Sequence, residues 1–312
     1  MKPNISIIIL SWNTKEYLHK CLTSLGHRLN SNDYEIIVID NASEDGSAEM
    51  VHEHFPSVKL IVNSTNTGYA AGNNLGIRIA QANHILLMNS DIEVIENAPE
   101  VMADFLDQNS SYGAVSTRMI QADGSVQRSC TKFPTLLTLL LFDIDRNRLL
   151  RRTPAVRDYL MRKYDHFASM DVEQPPAAFF MITRKTATAV GLLDEQFFLF
   201  FNDVDYCKRI AKSGYLIRYL AEAMVIHHGG KSVAKEASYR TQWYIARYRY
   251  YKKWHGEAAG FLAKLVTTTV VLENGFLIIA RKILPSRIRK EWTSRPSCRE
   301  GWKLIRLIWQ EK

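Results

Sequence analysis

Ile85-Leu86-Leu87-Met88-Asn89-Ser90-Asp91 is the stretch whose reading decides the fold. Four apolar residues closed by a short acidic turn read as a buried parallel strand, and an open α/β sheet presents ligands to a nucleotide at such strand ends. A carboxylate there is a hard oxygen ligand, suited to Mg2+ or Mn2+ held against a diphosphate. The plainer alternative is a turn whose Asn, Ser and Asp cap the next helix. The tripeptide alone does not choose between the two.

Working outward, the first third of the chain alternates. Strands are predicted at 5–10, 35–39, 58–62 and 85–88, with helices at 14–25, 45–55 and 69–82 between them. That spacing implies α/β architecture with a doubly wound parallel sheet and a ligand crevice at the carboxyl ends of its strands. Those ends carry Ser11-Trp12-Asn13, Asp40-Asn41-Ala42-Ser43, Asn63–Gly68 and Asn89-Ser90-Asp91. Further on, 113–119 reads as a strand, 121–129 as a hairpin around Asp123-Gly124, and 133–164 as a helical insertion rich in Leu and Arg. Strands at 177–183, 215–220 and 224–226 and a helix at 202–213 closed by Gly214 complete the body, and everything after Ser238 is helical in pattern.

Several residue groups point to chemistry. Asp40 ends a strand where a carboxylate can accept from a ribose or base edge, although it could equally cap a helix. The small-residue run Asn66–Gly76 opens a helix, where backbone can approach an anion; glycines kept only for helix–sheet packing are the competing reading. No GxGxxG follows the first strand, which disfavours a dinucleotide cofactor. Asn202-Asp203-Val204-Asp205 starts a helix after the aromatic run 197–201, so its carboxylates are held ionised by the helix dipole and can act as a base toward a hydroxyl. His227-His228-Gly229-Gly230 offers imidazole ligands beside backbone that permits close approach.

In order along the chain, Ser6–Asn13, Val38–Ser47, Asn66–Asn74 and Asn89-Ser90-Asp91 resemble family 2 glycosyltransferases of the GT-A fold. The block from Gly191 to Phe198, with Asn202–Cys207 and His227–Gly230, is similar to the rhamnosyltransferase-type branch, and the resemblance spans about 4–255. It implies a GT-A catalytic domain over 1–235, an acceptor-side helical insertion near 131–170, and a basic helical region over 236–312 that associates with membrane. It also implies inverting transfer of a sugar, plausibly rhamnose, from a nucleotide diphosphate to a lipid-linked saccharide in cell-surface polysaccharide synthesis. By the same resemblance Ser11, Asn13, Asp40, Asn66, Gly68, Asn73, Asn89 and Ser90 line the donor nucleotide, and Asp91 with His227 holds Mg2+ or Mn2+. Asp203 is the base; Asp194, Glu195 and Asn202 lie on the acceptor side. Two departures stand out: Asn202 where the family usually has Glu, which could move the base to Asp205, and Ala177-Ala178 where it often has Gly-Ala. A catalytically silent nucleotide- or glycan-binding homologue and a membrane adaptor are the alternatives.

Charge is divided unevenly. Residues 1–230 carry 22 Lys/Arg against 26 Asp/Glu, whereas 231–312 carry 18 against 6. A basic tail on an acidic body suggests a polyanionic partner, a membrane surface or nucleic acid, with a merely soluble basic helix as the competing reading. In that tail, Trp243–Trp254 interleaves rings with cations, which suits an anionic bilayer interface. No nucleic-acid motif accompanies it, and nucleic acid is not an expected partner. The apolar segment 258–284 is interrupted by Lys264, Glu273 and Asn274, so a helix lying on the bilayer or packed on the body is expected rather than a span. Neither a secretory leader nor a CxxC pair is seen among four scattered cysteines, and the expected location is the cytoplasmic face of the cell membrane.

Overall fold

The computed structural model describes residues 3–144, 153–229, 239–283 and 298–311; the Arg-rich run at 146–152 and Gly230–Ser232 fall outside them. The chain divides into two compact units, one of residues 1–133 and 160–239, the other of 134–159 and 240–312.

The first unit is built on one sheet. Its strands are β1 (Ile5–Ser11), β2 (Tyr34–Asp40), β3 (Lys59–Val62), β4 (His84–Asn89), β5 (Ile92–Val94), β6 (Tyr112–Ile120), β7 (Met170–Asp171), β8 (Phe179–Thr183) and β9 (Leu216–His227). Their order is β3-β2-β1-β4-β8-β6-β9-β5, with β7 also on β9. The apolar runs are continuous because both faces of the sheet are covered. Ile5, Ile7 and Ile9 of β1, with Leu86 and Met88 of β4, enter one core. Ile8, Ile85 and Leu87 enter the other. On the first face lie α1 (Lys15–Ser24), α2 (Ser47–His54) and α4 (Ala98–Gln108). On the second lie α3 (Gly68–Ile79) and α8 (Asn202–Lys212). The short helix α7 (Arg184–Val190) follows β8.

The first four strands are parallel, as their alternation with helices predicts, and the sheet is mixed beyond them. β1 pairs in parallel with β2 and β4, but β8 runs antiparallel between β4 and β6, and β5 runs antiparallel to β9. That reversal places the start of β8 at the edge where β1, β2, β4, β6 and β9 end. Strand β9 is one element, not two: its pairing with β6 jumps from Leu220 to Met224, and the skipped residues are the break expected at 221–223. The predicted hairpin at 121–129 is a turn with the single bridge Ile120–Val126.

The second unit is helical: α5 (Leu136–Ile144), α6 (Pro154–Tyr159), α9 (Tyr239–His255), α10 (Glu257–Ile283) and α11 (Cys298–Gln310). The aromatic helix α9 is not the free interfacial surface expected of it. Tyr248, Tyr250 and Tyr251 are buried, and Arg247 is buried with its guanidinium over the rings of Trp243 and Tyr244. Arg247 donates to Thr267 and Lys264 sits over Tyr248, so the alternation of rings and cations joins α9 to α10. Among the described residues no helix is long and apolar enough to cross a membrane.

Candidate active site

Asp91 sits in the turn from β4 to β5, and its carbonyl accepts from the His228 amide at 3.0 Å. The β5–β9 register that pairs Ile92 with His227 therefore carries Asp91 to the end of β9. His227 Nε2 lies 3.4 Å from Asp91 Oδ1, both side chains nearly buried. On the other side of the ring, Nδ1 is 2.7 Å from Gln127 Oε1. With that oxygen accepting, Nδ1 carries the proton and the lone pair of Nε2 points toward Asp91. Nε2 is buried and has no hydrogen-bond partner. A buried nitrogen left unpaired is costly, and a cation is one way to satisfy it. Asp91 and His227 are the residues that would hold a divalent cation here. No group of three or more His, Cys, Asp or Glu that could hold a metal ion gathers among the described residues. His228 is engaged elsewhere, 2.7 Å from Glu93 and ring-packed on Tyr17.

At the end of β2, Asp40 is 1% exposed. Its Oδ1 accepts from the Ser43 amide at 2.8 Å, while Oδ2 is buried and unpartnered. The first oxygen shapes the loop that follows β2. Ser11 and Ser90 are joined through Thr14, at 3.0 and 2.7 Å, in a buried hydroxyl chain that ties the ends of β1 and β4. Asn13, at φ +54°, accepts from the Glu44 amide and donates from its own amide to Ser43, linking two strand-end loops. Asn66 accepts from the Gly68 amide and from Asn41. Asn41 is the hub that sequence reasoning gave no role: its carbonyl oxygen collects Asn63 and both the amide and hydroxyl of Thr67. Asn89 uses its amide on Ala178. Asn73 donates to Tyr69 and keeps its Oδ1 buried and unpartnered.

The glycines of α3 serve packing. A Cβ on Gly68 would sit 2.4 Å from the Phe198 carbonyl oxygen; on Gly72 and Gly76 it would sit 2.5 and 2.4 Å from Leu10 and Ile8. Gly68 therefore seats the aromatic loop that leads into α8, and Tyr69 donates to the same carbonyl at 2.6 Å. Asp194 caps a turn through Gln196, whereas Glu195 meets Asn74 at 2.8 Å and Arg78 at 3.1 Å, clamping that segment to α3.

The two aspartates of α8 differ. Asp205 is fully buried and its Oδ2 lies 2.9 Å from Arg209 Nε, so as a base it is out of reach of an acceptor. Asp203 remains partly open. Its Oδ2 accepts from Gln174 Nε2 at 3.1 Å and its Oδ1 from the Val204 amide at 2.9 Å. Burial is the largest influence on this carboxyl and carries it above the usual carboxylate range, against hydrogen bonds from Val204, its own backbone, Ala177 and Gln174. Gln174 is held in this orientation because its Nε2 also donates to the Pro175 carbonyl, which can only accept, while Thr131 donates to its Oε1. Ala177 meets Asp203 through its backbone, and its carbonyl accepts from the Tyr69 hydroxyl at 2.8 Å. Asn202 donates to the Leu199 carbonyl at 2.7 Å, a task a glutamate could not perform. Gln127 and Gln174 carry no sequence signal, since long-range pairing alone brings them in.

A mixed sheet gathering carboxylates at one edge, with a partly buried Asp on the helix beyond, is the architecture of the GT-A class of glycosyltransferases. The chain belongs to glycosyl transferase family 2, whose model matches residues 6–169. It is 22% identical over 247 residues to the N-acetylglucosaminyl-diphospho-decaprenol L-rhamnosyltransferase of Mycobacterium tuberculosis, covering 76% of this chain and 80% of that one. With the low-salt glycan biosynthesis hexosyltransferase of Haloferax volcanii it shares 23% identity over 234 residues, 73% of this chain and 68% of the other. In fold it is similar to a mannosyltransferase from Pyrobaculum calidifontis solved with GDP-Man and Mn2+, at a TM-score of 0.55 and 15% identity, covering 100% of this chain and 89% of that one. The chain is thus a glycosyltransferase.

Proposed function

We propose that this glycosyltransferase moves a sugar from a nucleotide diphosphate to a hydroxyl of a lipid-linked saccharide, with inversion, at the cytoplasmic face of the membrane. Rhamnose is the first candidate sugar, because the mycobacterial relative is named for L-rhamnose and a diphospho-decaprenol acceptor. The observation that carries the reading is the convergence of Asp91 and His227: Gln127 holds Nδ1 of the ring, and Nε2 faces Asp91 Oδ1 at 3.4 Å without a hydrogen bond. A divalent cation held by this pair would neutralise charge on the departing nucleotide. Asp40 accepts from the ribose or base through its unpartnered oxygen. Asp203 takes the proton of the acceptor hydroxyl, its carboxyl raised toward the working pH by burial and kept oriented by Gln174. Asn202, used as a donor within its own loop, leaves that base in place, which favours an active enzyme over a silent homologue.

Calorimetry with dTDP, UDP and GDP, each with and without Mn2+, tests the reading. One base is expected to bind, with affinity that depends on Mn2+ and is lost in Asp91→Ala. Equal binding without Mn2+, or in Asp91→Ala, overturns the assigned grip.

A further inference from the structure

Seven of the eleven exposed large apolar side chains among the described residues lie in the helical unit, although it is the smaller of the two. Five of them form one surface. Phe261, Leu265 and Leu272 stand 52%, 42% and 50% exposed on α10, at spacings that keep them on one stripe. Trp302 and Trp309 stand 63% and 43% exposed on α11, seven residues apart and so also on one face. The stripes adjoin. Trp309 meets the Phe261 ring at 5.7 Å and donates to Thr268 at 3.0 Å, while Gly301 abuts Val271. The two helices therefore run antiparallel, with a tryptophan near each end of the α10 stripe. The opposite faces, Ala263, Val266 and Val270 on α10 and Leu304 and Ile308 on α11, are buried. Lys264, Lys303 and Arg306 stand among or beside the rings.

We propose that this α10–α11 face is where the protein docks on an anionic lipid surface, lying in the plane of the headgroups with its tryptophans at the interface. A water-exposed apolar patch of this kind marks an interaction site. Its occupant is named by charge complementarity: the region 231–312 holds 18 Lys/Arg against 6 Asp/Glu. Rings and aliphatic side chains on the exposed face with cations alongside suit a helix that rests on a bilayer. α9, whose sequence advertises the same role, is spent inside the unit. The lipid-linked acceptor proposed above gives the docking a purpose, but the docking does not depend on it.

The test uses the full chain, vesicles of phosphatidylcholine with or without phosphatidylglycerol, and no donor or acceptor. The wild type is expected to co-float with phosphatidylglycerol vesicles, and brominated lipid is expected to quench tryptophan emission. Trp302→Ala with Leu272→Ser should lower partitioning by about tenfold or more, from lost apolar burial. Ile79→Ser, at an exposed apolar position of the other unit, should leave it unchanged. Melting curves confirm that each variant is folded. Trp302→Ala/Leu272→Ser should also retain transfer to a water-soluble acceptor, which separates this proposal from the catalytic one. Undiminished flotation of that variant, or a wild type that never floats, overturns the docking face. So does a solution dimer dispersed by the same substitutions, since a second copy would then be the occupant.

Discussion

Replacing Gly68 by Ala tests how the aromatic loop is seated. The residue has φ +83°, where a Cβ costs about 1–2 kcal/mol. The new carbon would also stand 2.4 Å from the Phe198 carbonyl oxygen and 2.6 Å from its Cδ2. Ordinary contact needs roughly 3.4 Å or more, so the loop must retreat by about 1 Å, and overpacking of that kind costs a further ~1–3 kcal/mol. Gly124 supplies the control, with φ +81° and nothing within 4 Å, so Gly124→Ala carries only the conformational cost. The difference between the two variants isolates the steric component. At about 2–4 °C per kcal/mol, Gly68→Ala should melt several degrees below Gly124→Ala. Because the displaced loop enters α8 just before Asp203, kcat/KM should fall by about 10²-fold in Gly68→Ala alone. Paired differential scanning calorimetry and sugar-transfer kinetics read both quantities. Equal melting of the two variants, or full activity in Gly68→Ala, would refute the seating argument.

The aspartates of α8 should separate by assay. Asp203→Asn should abolish transfer with little change in melting, whereas Asp205→Asn should cost about 3–5 kcal/mol of stability, because it strands Arg209 beside a neutral partner. Since burial raises the Asp203 carboxyl and the base must be ionised, kcat/KM should rise with pH through a midpoint above the ordinary carboxylate range. Gln174→Ala removes a hydrogen bond to the ionised form, so that midpoint should move up; an unmoved profile would count against Gln174 as the positioning residue. His227→Gln should weaken Mn2+-dependent nucleotide binding in calorimetry yet leave the melting temperature of the nucleotide-free protein close to that of the wild type.

Much of the sheet was legible in the chain. β1 and β4 read as strands because their apolar residues are uninterrupted, and they are uninterrupted because alternate side chains enter two cores. What the pattern could not show was direction: Phe179–Thr183 looks the same whether it runs with its neighbours or against them. α4 went unassigned, although Met102, Ala103 and Leu106 bury one face of it. At the site, the strand-end carboxylates were readable because polar residues interrupt apolar runs. The side chains that orient them were not. Gln127 and Gln174 reach His227 and Asp203 across 100 and 29 residues of chain. Trp243–Trp254 misled for a related reason, since rings alternating with cations look the same whether they meet lipid or a neighbouring helix.

The reversed strand β8 has a consequence for how such enzymes diversify. The candidate site residues come from two stretches of chain, 11–91 and 174–227, and the family match at 6–169 stops short of the second. Under the roles proposed above, the later stretch can change its partner while the earlier one keeps its own. Exchanging 174–205 between relatives, with the accepted glycan as the readout, puts that division of labour to the test.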